Sequence, residues 1–171
     1  ELFDDANNML EQILHEKWLI ANAVVGIWPA NAIGDDIEIF SNDTRTNTLA
    51  TMHTLRQQTN TERKRENIAL ADFIAPRKSN VQDYIGGFAV TAGIGLDVIV
   101  TAFENDHDDY KSIMVKALAD RLAEALAEKM HEIIRKDLWG YAPEEELNNV
   151  DIITEKYQGI RPAPGYPACP D

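Results

Sequence analysis

A single cysteine, Cys169, is too few for an internal disulfide, and one thiol falls well short of a zinc or iron–sulfur framework. A reducing, cytoplasmic setting is the simplest reading. No apolar run reaches the eighteen or so residues that a membrane helix needs, and the N-terminus lacks the basic-then-apolar pattern of a signal peptide. A soluble protein with no membrane partner is therefore expected. Positive charge is also scarce: 16 Lys and Arg stand against 29 Asp and Glu, for a net charge of −13. That balance repels a phosphate backbone and argues against nucleic acid as a partner. The basic run Arg63-Lys64-Arg65 is flanked by Glu62 and Glu66 and reads as a solvated loop, with a docking patch for an acidic partner as the lesser alternative. Two phosphate-loop signatures are missing as well. Gly93-Ile94-Gly95 lacks the third glycine of the dinucleotide fingerprint and no Lys-Ser or Lys-Thr follows it, so it predicts a strand-to-helix turn.

The 171 residues, 44% of them hydrophobic, suffice for one sizeable core and predict one compact unit, with room for a loosely attached tail. The chain starts inside a helical pattern without Met and stops at Cys169-Pro170-Asp171, which suggests an excised piece truncated at both ends. Leu2, Phe3, Ala6, Met9, Leu10, Ile13 and Leu14 recur at three- and four-residue spacing, predicting a helix with one apolar face. From Val24 the pattern shortens. Val24 to Trp28 and the region around Ile37 and Ile39 predict two strands joined through Gly34-Asp35 by a loop longer than a tight turn. Thr48–Arg56, Ala69–Ile74 and Tyr84–Thr91 are three further strand candidates. Their connections mostly lack a crossover helix, which favours an antiparallel sheet.

A helix is expected from Leu96 to Phe103, and the strongest periodic element runs from about Asp109 to Leu138. In the latter, Met114, Leu118, Leu122, Leu126 and Ile133 form a slowly rotating stripe among small alanines, as a central helix would show. Asp106, Asp108 and Asp109 favour its start, Arg135 and Lys136 complement the dipole at its end, and Gly140 supplies a stop. Pro143-Glu144-Glu145-Glu146 then opens an acidic loop or short helix. No internal repeat is visible. The expected class is thus mixed α/β (α+β): an antiparallel sheet packed with a long central helix and further helices.

The closing stretch, Arg161-Pro162-Ala163-Pro164-Gly165-Tyr166-Pro167, is the least ordinary part of the chain. Alternating prolines predict a stiff, extended backbone whose intervening carbonyls are free, and Gly165 admits close approach to the main chain. Arg161 could grip a carboxylate with two parallel hydrogen bonds, and Tyr166 offers a flat ring and a hydroxyl. On these grounds alone a surface linker is favoured. Asp106, His107, Asp108 and Asp109 fit helix-start acids better than a metal site. His15, His53 and His131 are isolated in sequence, and no Ser or Cys nucleophile elbow is present.

Longer motifs alter that weighting. Arg161 to Pro170, Asp108-Asp109-Tyr110, Ile113 to Glu124, Trp139-Gly140-Tyr141 and Tyr157-Gln158-Gly159-Ile160 together resemble the activation domain of cobalamin-dependent methionine synthase. So do Val24-Val25-Gly26, Pro29-Ala30, Asp35-Asp36-Ile37, Leu55-Arg56-Gln57-Gln58 and Asp72-Phe73-Ile74-Ala75-Pro76, so the likeness covers nearly the whole chain in one order. The resemblance implies a C-shaped α/β structure with a twisted antiparallel sheet and a shallow S-adenosylmethionine site. It further implies that the domain supports reductive methylation of cob(II)alamin and so restores the active enzyme. The implied partners are the cobalamin-binding domain of the same chain, which holds the cobalamin, and flavodoxin or a flavoprotein reductase. Zinc would be confined to the parent enzyme's homocysteine domain.

By the same resemblance Arg161 would hold the methionyl carboxylate, and the backbone of Pro162, Ala163, Pro164 and Gly165 would meet the ligand. Tyr166 would lie beside it near the corrin, Glu155 would line the site, and Glu124 would face cobalamin. The residues 142–171 would then form a partly extended tail carrying the ligand motif. No acid or nucleophile is asked of the protein, whose share is positioning and exclusion of water. Read without the resemblance, Glu124 lies about 200° from Leu122 on the helix, on its outer face, and Glu155 is an ordinary solvated residue. The family's site also uses an acidic group upstream and aromatic and backbone groups downstream, beyond these residues. Two other classes stand beside this one: an acidic hydrolase using Asp108, Asp109 and Glu124 with a divalent metal, and a structural module that docks flavodoxin or the cobalamin domain without binding ligand.

Overall fold

The computed structural model describes residues 1–58 and 66–169; the basic run at 63–65, together with Pro170 and Asp171, lies outside the described residues. In order come α1 (Leu2–Glu16), β1 (Ile20–Ile33), β2 (Asp36–Phe40), β3 (Thr48–His53), β4 (Asp83–Ile94), α2 (Leu96–Asn105), α3 (Asp109–Ile133) and α4 (Asn149–Ile153). The strands form a four-stranded antiparallel sheet in the order β3-β2-β1-β4. The mixed α/β class read from the sequence is thereby established, as are the long helix and the antiparallel sheet. Contacts gather the chain into two compact units, Glu1–Val25 with Phe88–Glu146, and Gly26–Gly87 with Leu147–Asp171.

The first unit is built on helix faces. Met9 and Ile13 of α1 meet Met114 and Val115 of α3, and Leu96, Ile99 and Phe103 of α2 close over them with Trp18. Trp18 and Phe103 meet edge to face, their ring centroids 6.0 Å apart. The predicted start of α3 is observed: Asp108 caps it by accepting the Lys111 N–H at 3.0 Å. The strand-to-helix turn at Gly95 also forms, with φ of 98°. Only glycine fits there, because a Cβ would sit 2.6 Å from the Trp18 carbonyl oxygen. The long helix reaches Leu138, but its last turn, Ile134–Leu138, widens to π geometry. Arg135 does more than the sequence implied. It sits in the last turn as expected, but it is 1% exposed, and its guanidinium pairs with Glu145 through Nε–Oε2 at 2.9 Å and Nη2–Oε1 at 2.5 Å.

The second unit corrects two strand expectations. The first strand does not stop at Trp28 but continues to Ile33, and Ile33 pairs with Asp36 across a two-residue turn at Gly34-Asp35. The connection is therefore tight, not long. Pro29 is tolerated because the paired register with β2 begins one residue later, at Ala30 opposite Ile39, so the missing N–H costs no bond in that ladder. The segment Ala69–Ile74 is not a strand. Residues Leu70–Phe73 form a 3-10 turn, because the Asp72 carboxylate accepts the Ala69 N–H at 2.9 Å and draws the chain tight. Ala71, Ala30, Ala32 and Ile37 then form a small-residue core beneath Met52, Ile74 and Ile85.

Two arginines organise this unit. Arg56, just past β3, spans Asp35 at 2.7 Å and Asp72 at 2.7 Å. The Arg56 hydrogen bond, then the Ala69 N–H, lowers the Asp72 pKa from 3.8 to about 2. A carboxyl depressed on folding adds stability above its unfolded pKa, and that share is lost as pH falls from about 4 through about 2. The side chains are 34% and 39% exposed, so solvent screening keeps the share small. Arg56→Met is expected to return the Asp72 midpoint most of the way to 3.8 in a carboxyl NMR titration. An unmoved midpoint would assign the depression to the backbone alone. Arg45, at φ of 53°, donates to the Ala30 carbonyl at 3.0 Å, to Asn31 Oδ1 at 2.7 Å and to the Asp83 carbonyl at 2.8 Å, between the rings of Phe40 and Tyr84.

Candidate functional site

The end of the second unit is made of turns whose hydrogen bonds can be traced one by one. Asn148 starts α4 by accepting the N–H groups of Val150 at 2.9 Å and Asp151 at 3.1 Å, and Asp151 returns a bond from the Asn148 N–H at 3.3 Å. The helix lasts five residues, ends at Thr154, and leaves Glu155 in the left-handed region with φ of 54°. Lys156 folds back onto Asp151 at 2.7 Å, and this pair, followed by the Asn148 N–H, holds the Asp151 carboxyl below its usual range.

Beyond Gly159, Arg161 and Pro162 are half-buried, and Ala163 to Pro167 are exposed. Two turns follow each other: the Tyr166 N–H donates to the Ala163 carbonyl at 3.1 Å, and the Cys169 N–H donates to the Tyr166 carbonyl at 2.8 Å. The Gly165 N–H closes the pair by donating to the Cys169 carbonyl, also at 2.8 Å. The sequence predicted a stiff extended stretch with free carbonyls between prolines. The structure instead engages the Ala163 carbonyl, because Gly165 at φ of 92° lets the chain reverse where a proline rod would run on. Cys169 is buried as the anchor of this double turn, at 6% exposure.

The outcome is a half-buried guanidinium followed by a glycine with nothing within 4 Å of its Cβ position, and then a Tyr166 ring that is 63% exposed. Such a set can grip a carboxylate, admit a ligand against the main chain and cover it with a ring. Glu155 belongs to the same unit. Glu124 belongs to the first unit, on the exposed side of α3, where it pairs with Arg121 at 2.8 Å. Sequence reasoning missed the staple made by Asp151. Its signal was present as Asn148-x-x-Asp151, a capping-box spacing ahead of Ile152 and Ile153.

Asp108 is engaged as a cap and by Lys111 Nζ at 2.9 Å, and the Lys111 backbone N–H, then its side chain, keeps that carboxyl low. Among the described residues no three His, Cys, Asp or Glu side chains converge as a metal site would require. No helix among them is long and apolar enough to cross a membrane.

Sheet order, long helix and closing double turn together define a mixed α/β module in which Arg161 suits the carboxylate of a small ligand. Comparison with known proteins makes the class specific. The model of the vitamin B12 dependent methionine synthase activation domain matches residues 1–171, and the chain belongs to that family. A solved structure described as the MetH reactivation domain bound to AdoHcy is similar at 58% identity with a TM-score of 0.91. The likeness covers 99% of this chain and 52% of that one, so the chain spans about half the length of this relative.

Proposed function

We propose that this chain is part of an S-adenosylmethionine-binding module that supports the reductive methylation of cob(II)alamin in a cobalamin-dependent methionine synthase. The observation that carries the reading is the similarity, over nearly all of these residues, to a reactivation domain that holds AdoHcy, the same ligand after loss of its methyl group. The residues present fit the group. Arg161 holds the methionyl carboxylate through a two-point fork, the backbone from Pro162 to Gly165 lies along the ligand, and Tyr166 covers it. Glu155 supplies negative charge beside the sulfonium and ammonium, and Glu124 faces the cobalamin. The residues 142–171 carry the ligand motif within a single activation domain. Another domain of the same polypeptide would hold cobalamin, which would supply the cobalt as methyl acceptor, and flavodoxin or a flavoprotein reductase would supply the electron. The protein side chains take no part in bond breaking; they orient the donor and keep water away from it. A cytoplasmic setting accords with the single buried thiol.

Calorimetric titration of S-adenosylmethionine into this chain, and into a polypeptide extended by several tens of residues at each end, tests the reading. Arg161→Ala is expected to weaken binding by about 1.5–3 kcal/mol, the worth of a charged hydrogen-bonded partner, and Arg161→Lys by most of that amount because the fork is lost. Binding that ignores both changes would remove Arg161 from the site. Absence of binding by the longer polypeptide, with docking to the cobalamin domain intact, would replace the reading with that of a structural docking module.

A further inference from the structure

We propose that Asp151 and Lys156 are positioning residues for Glu155: their ion pair closes α4 on itself and holds Glu155 in the conformation that presents its carboxylate to S-adenosylmethionine. The inference rests on the ligand-binding reading above and adds the device that aims one of its groups. A helix of five residues does not stand alone in water. Burial adds little, since Val150 is 65% and Ile153 80% exposed and only Ile152 is half-buried among its apolar residues. The rest is polar. The Asp151 side chain, only 19% exposed, spans the whole element: Oδ2 accepts the Asn148 N–H at the entry, 3.3 Å away, and Oδ1 accepts Lys156 Nζ at the exit, 2.7 Å away.

The same turn takes up the backbone on either side of Glu155. The Glu155 N–H donates to the Ile152 carbonyl and the Lys156 N–H to the Asp151 carbonyl, each at 3.0 Å. Thr154 Oγ1 adds a bond of 2.7 Å to the Val150 carbonyl. Glu155 thus sits between two residues tied to one helical turn, at a φ of 54° that residues other than glycine rarely adopt. A strained backbone at an exposed carboxylate persists only where its surroundings over-determine it, and Asp151 with Lys156 supplies that determination. Neither residue needs to touch the ligand; they act through Glu155.

The test is a double-mutant cycle read by titration of S-adenosylmethionine into the polypeptide that binds it. Asp151→Ala and Lys156→Met are each expected to weaken binding about fivefold, the scale of a lost cap, and Lys156→Arg to restore it. In a Glu155→Ala background, Asp151→Ala is expected to add nothing, because its effect passes through the missing carboxylate. Amide hydrogen exchange without ligand gives an independent readout: the Glu155 and Lys156 amides should exchange faster in Asp151→Ala, while those of Gly165 and Cys169 keep their rates. Wild-type affinity in Asp151→Ala or additivity with Glu155→Ala overturns the inference while leaving the binding reading intact; a silent Glu155→Ala overturns it together with the role given to Glu155 in that reading. No binding by the unmutated polypeptide overturns both.

Discussion

Arg135→Ala is expected to destabilise the first unit by about 3–5 kcal/mol, the cost of leaving a buried charge without its counter-ion. The guanidinium is 1% exposed and the Glu145 side chain 9%, so neither group has water to fall back on. Three short contacts, from Nε to both carboxylate oxygens and from Nη2 to Oε1, make the pair a fork rather than a point charge. The Ala142 N–H donates to the Arg135 carbonyl at 2.9 Å, and the Trp139 and Tyr141 rings meet edge to face at 5.4 Å. The turn after α3 is therefore fastened to the π-shaped end of the helix at several points. Replacing both partners with apolar residues of like volume should recover most of the loss, since the desolvation of two ions is then avoided. Urea unfolding of the single and double variants decides the matter. A loss under about 1 kcal/mol for Arg135→Ala would show that Glu145 can swing into solvent.

Asn31→Ala is expected to cost about 2–3 kcal/mol in the second unit, because one side chain serves three buried bonds. Its amide donates to the Ala75 and Val81 carbonyls, each at 2.9 Å, and its oxygen accepts from Arg45. At 4% exposure, removal of the amide leaves two carbonyls and a guanidinium short of partners. Asn31→Asp should be worse than Asn31→Ala, as it turns an acceptor toward both carbonyls and loses the donor they require. Thermal unfolding of the two variants checks the order, and an Asp variant as stable as the wild type would mean that water replaces the amide.

Periodicity was enough to find α1, α2 and α3, and Asp108 marked the start of α3 because a cap acts within its own turn. Ala69–Ile74 failed as a strand for the opposite reason. Its apolar alternation was real, but Asp72 reaches Arg56, sixteen positions away, and a partner at that separation leaves no local pattern. The burial of Arg135 was hidden likewise: a cation at a helix end and a buried one look the same until Glu145 pairs with it. The family motifs divide in the structure. Ala75 belongs to the Asn31 network and the Ala32 ladder, so that part of the resemblance marks architecture. Arg161 and Tyr166 stood out as a carboxylate grip and a ring, but only the resemblance set them above a linker, which a proline-rich end favours by itself. The reversal at Gly165 was hidden because glycine permits a turn without requiring one.

The indole of Trp28 lies against the glycines at 26 and 87, so closely that a Cβ at Gly26 would come within 2.0 Å of a ring carbon. The other two tryptophans, Trp18 and Trp139, belong to the first unit, whereas Trp28 belongs to the second. The chain thus carries its own spectroscopic labels. A protein retaining only Trp28 reports the melting of one unit by its fluorescence, and one lacking only Trp28 reports the other. Coincident curves would mean a single cooperative transition; separated curves would give each unit its own unfolding free energy.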